Sequence, residues 1–173
     1  MTDGFKGRAS STGALLLYLL TIPAANWAVS EWPEAWVGPG LVAPAGVYFA
    51  GAALVLRDWA REAAGKTAVQ AAMAAGVVLS FWFADPTVAF ASAAAFALAE
   101  TLDYFVYERL RERGKQLALG ASNAVGIAAD SVVFLLLAFG SLQYLPGQLL
   151  GKAWVTVLAL AAMGLWRRRR AAA

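Results

Sequence analysis

Lys and Arg fall in alternate breaks between long apolar stretches, and this placement constrains the chain more than any other feature. Lys6 and Arg8 precede the first stretch, and Arg57, Arg61 and Lys66 follow the second. Arg109, Arg111, Arg113 and Lys115 follow the fourth, and Arg167, Arg168, Arg169 and Arg170 follow the last. The other breaks hold none, and Lys152 is the single cation outside the pattern. Short loops rich in Lys and Arg stay on the cytoplasmic side of a membrane. The alternation therefore predicts six spans with both ends in the cytoplasm.

A helix needs roughly 20 mostly apolar residues to cross a bilayer. The sequence predicts spans over Gly13–Ser30, Leu41–Trp59, Thr67–Phe83, Thr87–Val106, Leu117–Gly140 and Pro146–Trp166. Pro and Gly clusters mark the turns, at Trp32-Pro33-Glu34, Gly38-Pro39-Gly40, Asp85-Pro86 and Leu145-Pro146-Gly147. The expected organisation is a tail over residues 1–12, an all-α six-helix membrane domain over 13–166 and a basic tail over 167–173. Trp27, Trp32 and Trp36 suit one interface, and Trp59 and Trp166 the other. The basic start and apolar run from Ala14 to Leu20 look like a signal peptide, but the first stretch is long enough to cross and carries Asn26.

Composition narrows the chemistry. Hydrophobic residues make up 61% and charged residues 14%, against about 45–50% and about 25% in soluble domains, which excludes an ordinary soluble enzyme. The chain has no Cys and no His, so disulfides, thiol chemistry and the commonest general base are absent. No phosphate loop, Gly-x-Ser-x-Gly elbow or metal-ligand spacing occurs, and no cofactor or nucleic-acid partner is expected. Asp103 and Asp130 could mimic an intramembrane aspartyl protease, but the second sits in Gly126-Ile-Ala-Ala-Asp130 and lacks the Gly-x-Gly-Asp string.

Ionisable residues within a span are site hypotheses, because the bilayer centre penalises a charge by at least ~2.5 kcal/mol. Glu100, Asp103 and Tyr107 share one face of the fourth span. Glu100 lies about 20 Å from the outer end of its helix, in the cytoplasmic half. The plainer alternative is that both carboxylates pair with Arg109 or Arg113 at the helix end. Asn123 and Asp130 share a face of the fifth span, with Gly126 nearly in line. Asp130 lies near the midplane among apolar neighbours, so its partner must come from another helix, and it is the candidate proton carrier. Lys152 either snorkels outward or pairs with Asp130 or an anionic group. Asn26 follows Pro23 by three residues, as in a helix lining a cavity or one that is simply kinked. Arg57, Asp58, Arg61, Glu62 and Lys66 read as a salt-bridged helix end at the interface.

Several strings then carry a family resemblance. They are Ala25-Asn26-Trp27; Pro44-Ala45-Gly46-Val47-Tyr48; Arg57-Asp58 with Glu62 and Gly65-Lys66; and Glu100-Thr-Leu-Asp103 with Tyr107. Asn123 to Asp130 with Ser131-Val-Val-Phe134 and Ala138-Phe139-Gly140, and Leu145-Pro146-Gly147-Gln148 with Lys152, complete them. Over about residues 14–165 the chain resembles the queuosine precursor transporters, also called the vitamin uptake transporter family. The resemblance implies a six-helix transporter of the inner or plasma membrane, related in fold to the substrate-binding subunits of energy-coupling-factor importers. It implies a bacterial or phage source and uptake of a small neutral heteroaromatic solute, a 7-deazaguanine precursor of queuosine. A homo-oligomer, an ATPase partner, or a non-transporting assembly subunit stays open. Glu100, Asp103, Asn123 and Asp130 are the expected substrate-binding residues, with Asn26 and Lys152 in support; carboxylates and amides match the N–H donors of a guanine-like edge.

Overall fold

The breaks in the sequence become the turns of a helical bundle. The computed structural model describes the backbone of residues 2–32 and 34–171, and their side chains apart from residues 2–10, 115, 119, 160 and 163–171. Lys6, Arg8, Lys115, Trp166 and Arg167 to Arg170, on which part of the topology rests, lie outside the described side chains, and Pro33 lies outside the described residues. The helices are α1 (Thr2–Glu31), α2 (Val47–Ala64), α3 (Lys66–Phe83), α4 (Pro86–Leu110), α5 (Lys115–Phe139) and α6 (Leu145–Ala171). A 3-10 turn, Arg111–Arg113, joins α4 to α5. Among the described residues, four segments are long and apolar enough to cross a membrane: Ser11–Glu31, Lys66–Phe83, Pro86–Arg113 and Gln116–Phe139. The charges Arg57, Asp58, Arg61 and Glu62 keep α2 out of that group.

One expectation fails at residues 41–43. They do not open a helix but form strand β2 (Leu41–Ala43), antiparallel to β1 (Ala35–Gly38), with Ala35 opposite Ala43 and Trp36 opposite Val42. Pro39 and Gly40 make the turn, and Gly40 at φ +70° takes the positive-φ position that a side chain would resist. Hydropathy cannot separate three apolar strand residues from a helix start, so the second helix begins six residues later than the Leu41 start read from the sequence. The hairpin lies on the start of α6. A Cβ at Gly147 would run into the Val42 carbonyl, so only glycine lets α6 approach this closely.

Helix starts and turns follow local chemistry. Asp85 caps α4, accepting from the Thr87 N–H at 2.8 Å and the Val88 N–H at 3.4 Å, and Pro86 fills the first turn where no donor is needed. These bonds, chiefly that from Thr87, hold the Asp85 carboxyl below the usual carboxylate range.

Two apolar clusters organise the bundle. Ala14, Tyr18 and Ile22 of α1 pack with Ala60 of α2 and with Val69 and Ala72 of α3. Val88, Ala91 and Ala95 of α4 pack with Phe134 and Leu135 of α5. α4 and α5 run antiparallel in extensive contact, whereas their contacts with the other helices are sparse. Outside, Leu16, Leu17, Leu20, Trp82, Phe90 and Leu158 stand exposed. A soluble surface rarely carries so much apolar area, but hydrocarbon would cover it.

Candidate functional site

Between the two clusters lies a cavity of about 690 Å³, with lining from all six helices. That volume falls in the roughly 300–1,000 Å³ range of small-molecule pockets. All six residues singled out from the sequence line it: Asn26, Glu100, Asp103, Asn123, Asp130 and Lys152. The remaining wall is mostly apolar, with Trp59, Phe96 and Phe134 as its aromatic faces.

Two ion pairs span the cavity between helices. Lys152, only 2% exposed, donates from Nζ to Asp130 Oδ2 at 2.6 Å and to Ser131 Oγ at 2.8 Å. This settles the two readings of Lys152: it does not snorkel. Its Cα sits opposite Gly51 of α2, where an added Cβ would come within 3.3 Å. The second pair joins Arg57 of α2 to Glu100 of α4. Arg57 lies six positions after Gly51, so the two cations leave the backbone about 9 Å apart along the bundle.

The second pair decides against one alternative and corrects one expectation. Glu100 does not pair with Arg109 or Arg113 at its own helix end; its partner is Arg57. Arg57 is not confined to an interfacial stripe. Its side chain is mostly buried, and only its 3.3 Å contact with Asp58 keeps to the local pattern. The sequence carried a signal for this, since Arg57 is the first charge after the apolar run of α2 and so the deepest of its group. Proximity to Asp58 concealed it, because adjacent opposite charges read as a self-contained pair.

Asp103 has no ion pair or hydrogen bond among the described residues. Its position is fixed by helix packing. A Cβ at Gly126 of α5 would lie 3.6 Å from the Ala99 carbonyl oxygen and 3.6 Å from Asp103 Cβ. The Ala99–Asp103 turn of α4 is thus level with Gly126, with Asn123 and Asp130 about one turn to either side on α5. Glu100, Asp103, Asn123 and Asp130 form one polar strip across the α4–α5 seam.

Asn26 is buried and donates from Nδ2 to Ser80 Oγ of α3 at 2.9 Å, while Ser80 Oγ donates to the Gly76 carbonyl at 2.9 Å. α1 continues through Pro23, and Asn26 both lines the cavity and ties α1 to α3. Gln148, one turn before Lys152, is a site residue that the charge and spacing patterns of the sequence do not mark. It lines the cavity at 3% exposure, and its Oε1 accepts no hydrogen bond among the described residues. Tyr18 is fully buried with its hydroxyl likewise unpartnered among them.

Apolar spanning helices around a ligand-sized cavity, with polar side chains meeting inside it, define the class: a helical, multi-pass membrane protein that can hold a small molecule. Residues 84–166 match the model of a family described as "Putative vitamin uptake transporter". The match covers somewhat under half of the chain and takes in Glu100, Asp103, Asn123, Asp130 and Lys152 but neither Asn26 nor Arg57. Over those residues the chain is similar to vitamin uptake transporters. No curated protein and no solved structure matches the chain.

Proposed function

We propose that the protein is an importer of the inner or plasma membrane, with six spans and both ends cytoplasmic, that binds a small heteroaromatic solute in this cavity. The leading candidate is a 7-deazaguanine precursor of queuosine. The cavity itself carries the reading: largely apolar walls, three aromatic side chains and a short polar strip. A flat ring stacks on Trp59, Phe96 or Phe134. A guanine-like edge presents adjacent N–H donors, which a carboxylate accepts together and an amide complements. Glu100, Asp103, Asn123 and Asp130 supply those groups, with Asn26 and Lys152 in support.

A second reading, which the resemblance leaves open, is a vitamin-type binding subunit that works with a separate ATPase; the description of the matched family bears on its vitamin-type solute alone. Both readings require the cavity to bind solute, and they part at transport. Purified chain titrated with a panel of deazapurines, purines and vitamins should show saturable quenching from Trp59, which lines the cavity. Uptake by the chain alone in proteoliposomes supports the importer, and binding without uptake supports the subunit. A panel without a single saturable ligand overturns both.

A further inference from the structure

The charges around the cavity do not cancel. Its lining holds two cations, Arg57 and Lys152, and five carboxylates, Asp58, Glu62, Glu100, Asp103 and Asp130. Asp58 and Glu62 are exposed at the rim, where water screens them. Within, Arg57 pairs with Glu100 and Lys152 with Asp130. Asp103 is the surplus. Lining residues from α1 and α3, such as Asn26 and Met73, bring no titratable group, so these elements add no cation to it. Gln148 also lines the cavity, and its fully buried Oε1 has no donor among the described residues.

Resting on the solute-binding reading above, we propose that the cavity takes up its solute together with one positive charge, which Asp103 receives. The charge is either an ammonium on the solute itself or a co-bound monovalent cation, a proton or sodium. The chemistry is shared: Asp103, partly exposed on the cavity wall, lacks a counter-charge among the described residues, and a carboxylate covered by a bound solute without one is costly. Loading then brings the interior to neutrality, the state a bilayer encloses at least cost. Asp130 cannot serve this role while Lys152 holds it, so the carried charge moves from Asp130, the sequence-based candidate, to Asp103.

The test uses the whole chain in nanodiscs and two readouts. The first is affinity for three probes: 7-deazaguanine, its 7-aminomethyl derivative (cationic at pH 7) and its 7-hydroxymethyl derivative (neutral and nearly isosteric). If the solute carries the charge, the aminomethyl probe binds at least about ten-fold tighter than the hydroxymethyl one. If an ion carries it, 7-deazaguanine binds at least about ten-fold tighter in sodium than in choline, or at pH 6 than at pH 8. Either preference disappears in Asp103→Asn. The second readout needs no ligand: at pH 8 in choline, empty Asp103→Asn melts above the wild type, because the uncompensated charge is gone. Neutral probes that bind wild type and Asp103→Asn alike, indifferent to ammonium, sodium and pH, overturn the proposal. So does an unliganded Asp103→Asn that melts at or below the wild type. If no probe binds yet Asp103→Asn melts higher, the heteroaromatic reading falls and the charge assignment stands.

Discussion

Removing Asp130 isolates a buried ammonium, and the consequence can be sized. Lys152 is 2% exposed, and its Nζ is held by Asp130 at 2.6 Å and by Ser131 at 2.8 Å. In Asp130→Ala only the serine hydroxyl remains. Breaking a buried pair from one side costs about 3–5 kcal/mol. The Asp130 side chain is a quarter exposed, which places the expected loss near 3 kcal/mol. At about 2–4 °C per kcal/mol for a chain of this size, melting should fall by about 6–12 °C. Replacing both partners, as in Asp130→Ala with Lys152→Met, removes the stranded charge along with its partner. The double variant should therefore recover much of the loss, with a coupling energy of about 1.5–3 kcal/mol across the cycle. The assay is thermal unfolding in detergent, with all four proteins at one pH and salt. Additive single losses, or an unchanged melting point in Asp130→Ala, would refute the pairing as a structural element.

Further outcomes follow from other contacts. Ser80→Ala leaves the buried Asn26 amide without an acceptor and should cost about 1–3 kcal/mol, whereas Asn26→Ala leaves Ser80 still bonded to the Gly76 carbonyl; thermal melts of both should rank Ser80→Ala, per atom removed, as the worse change. The folded Asp85 carboxyl titrates below its unfolded value of about 3.9, so its contribution is present above that pH and fades as pH falls through the folded value. Asp85→Asn should flatten the acid limb of a stability–pH profile below about pH 4, so that its deficit against wild type is fully present at pH 7 and shrinks as acid protonates the wild-type carboxyl. Reporter fusions at Ala173 and within residues 31–39 should read cytoplasmic and external respectively; the reverse would invert the proposed topology.

What was legible in the sequence was what local chemistry decides. Proline lacks a donor and glycine frees the backbone, so α3 begins within one residue of its expected start and α4 opens at Asp85-Pro86 as expected. Polar residues inside apolar stretches also announced themselves, and the six chosen on that ground line one cavity. Partnership was not legible. Arg57 finds Glu100 43 positions away, and no spacing rule within α2 or α4 encodes that contact. The hairpin was hidden because Leu41, Val42 and Ala43 are as apolar as a helix, and their strand character depends on Ala35–Gly38 lying alongside. Gln148 was not legible because a polar residue close to a helix start ordinarily faces water, whereas here it is buried.

The central claim is that this cavity binds the solute, and ligand affinity across four variants tests it most directly. Glu100→Ala and Asp130→Ala each remove a carboxylate from the cavity wall, and Glu108→Ala, whose partner is Arg111 at the α4–α5 turn, serves as the control. Losing a charge-assisted hydrogen bond to ligand costs about 1.5–3 kcal/mol, so the first two should bind about ten- to a hundred-fold more weakly. Glu100→Gln should fall between, since its amide oxygen still accepts one bond. Folded Glu100→Ala and Asp130→Ala that bind as tightly as Glu108→Ala would place the site elsewhere and leave these carboxylates a purely structural role.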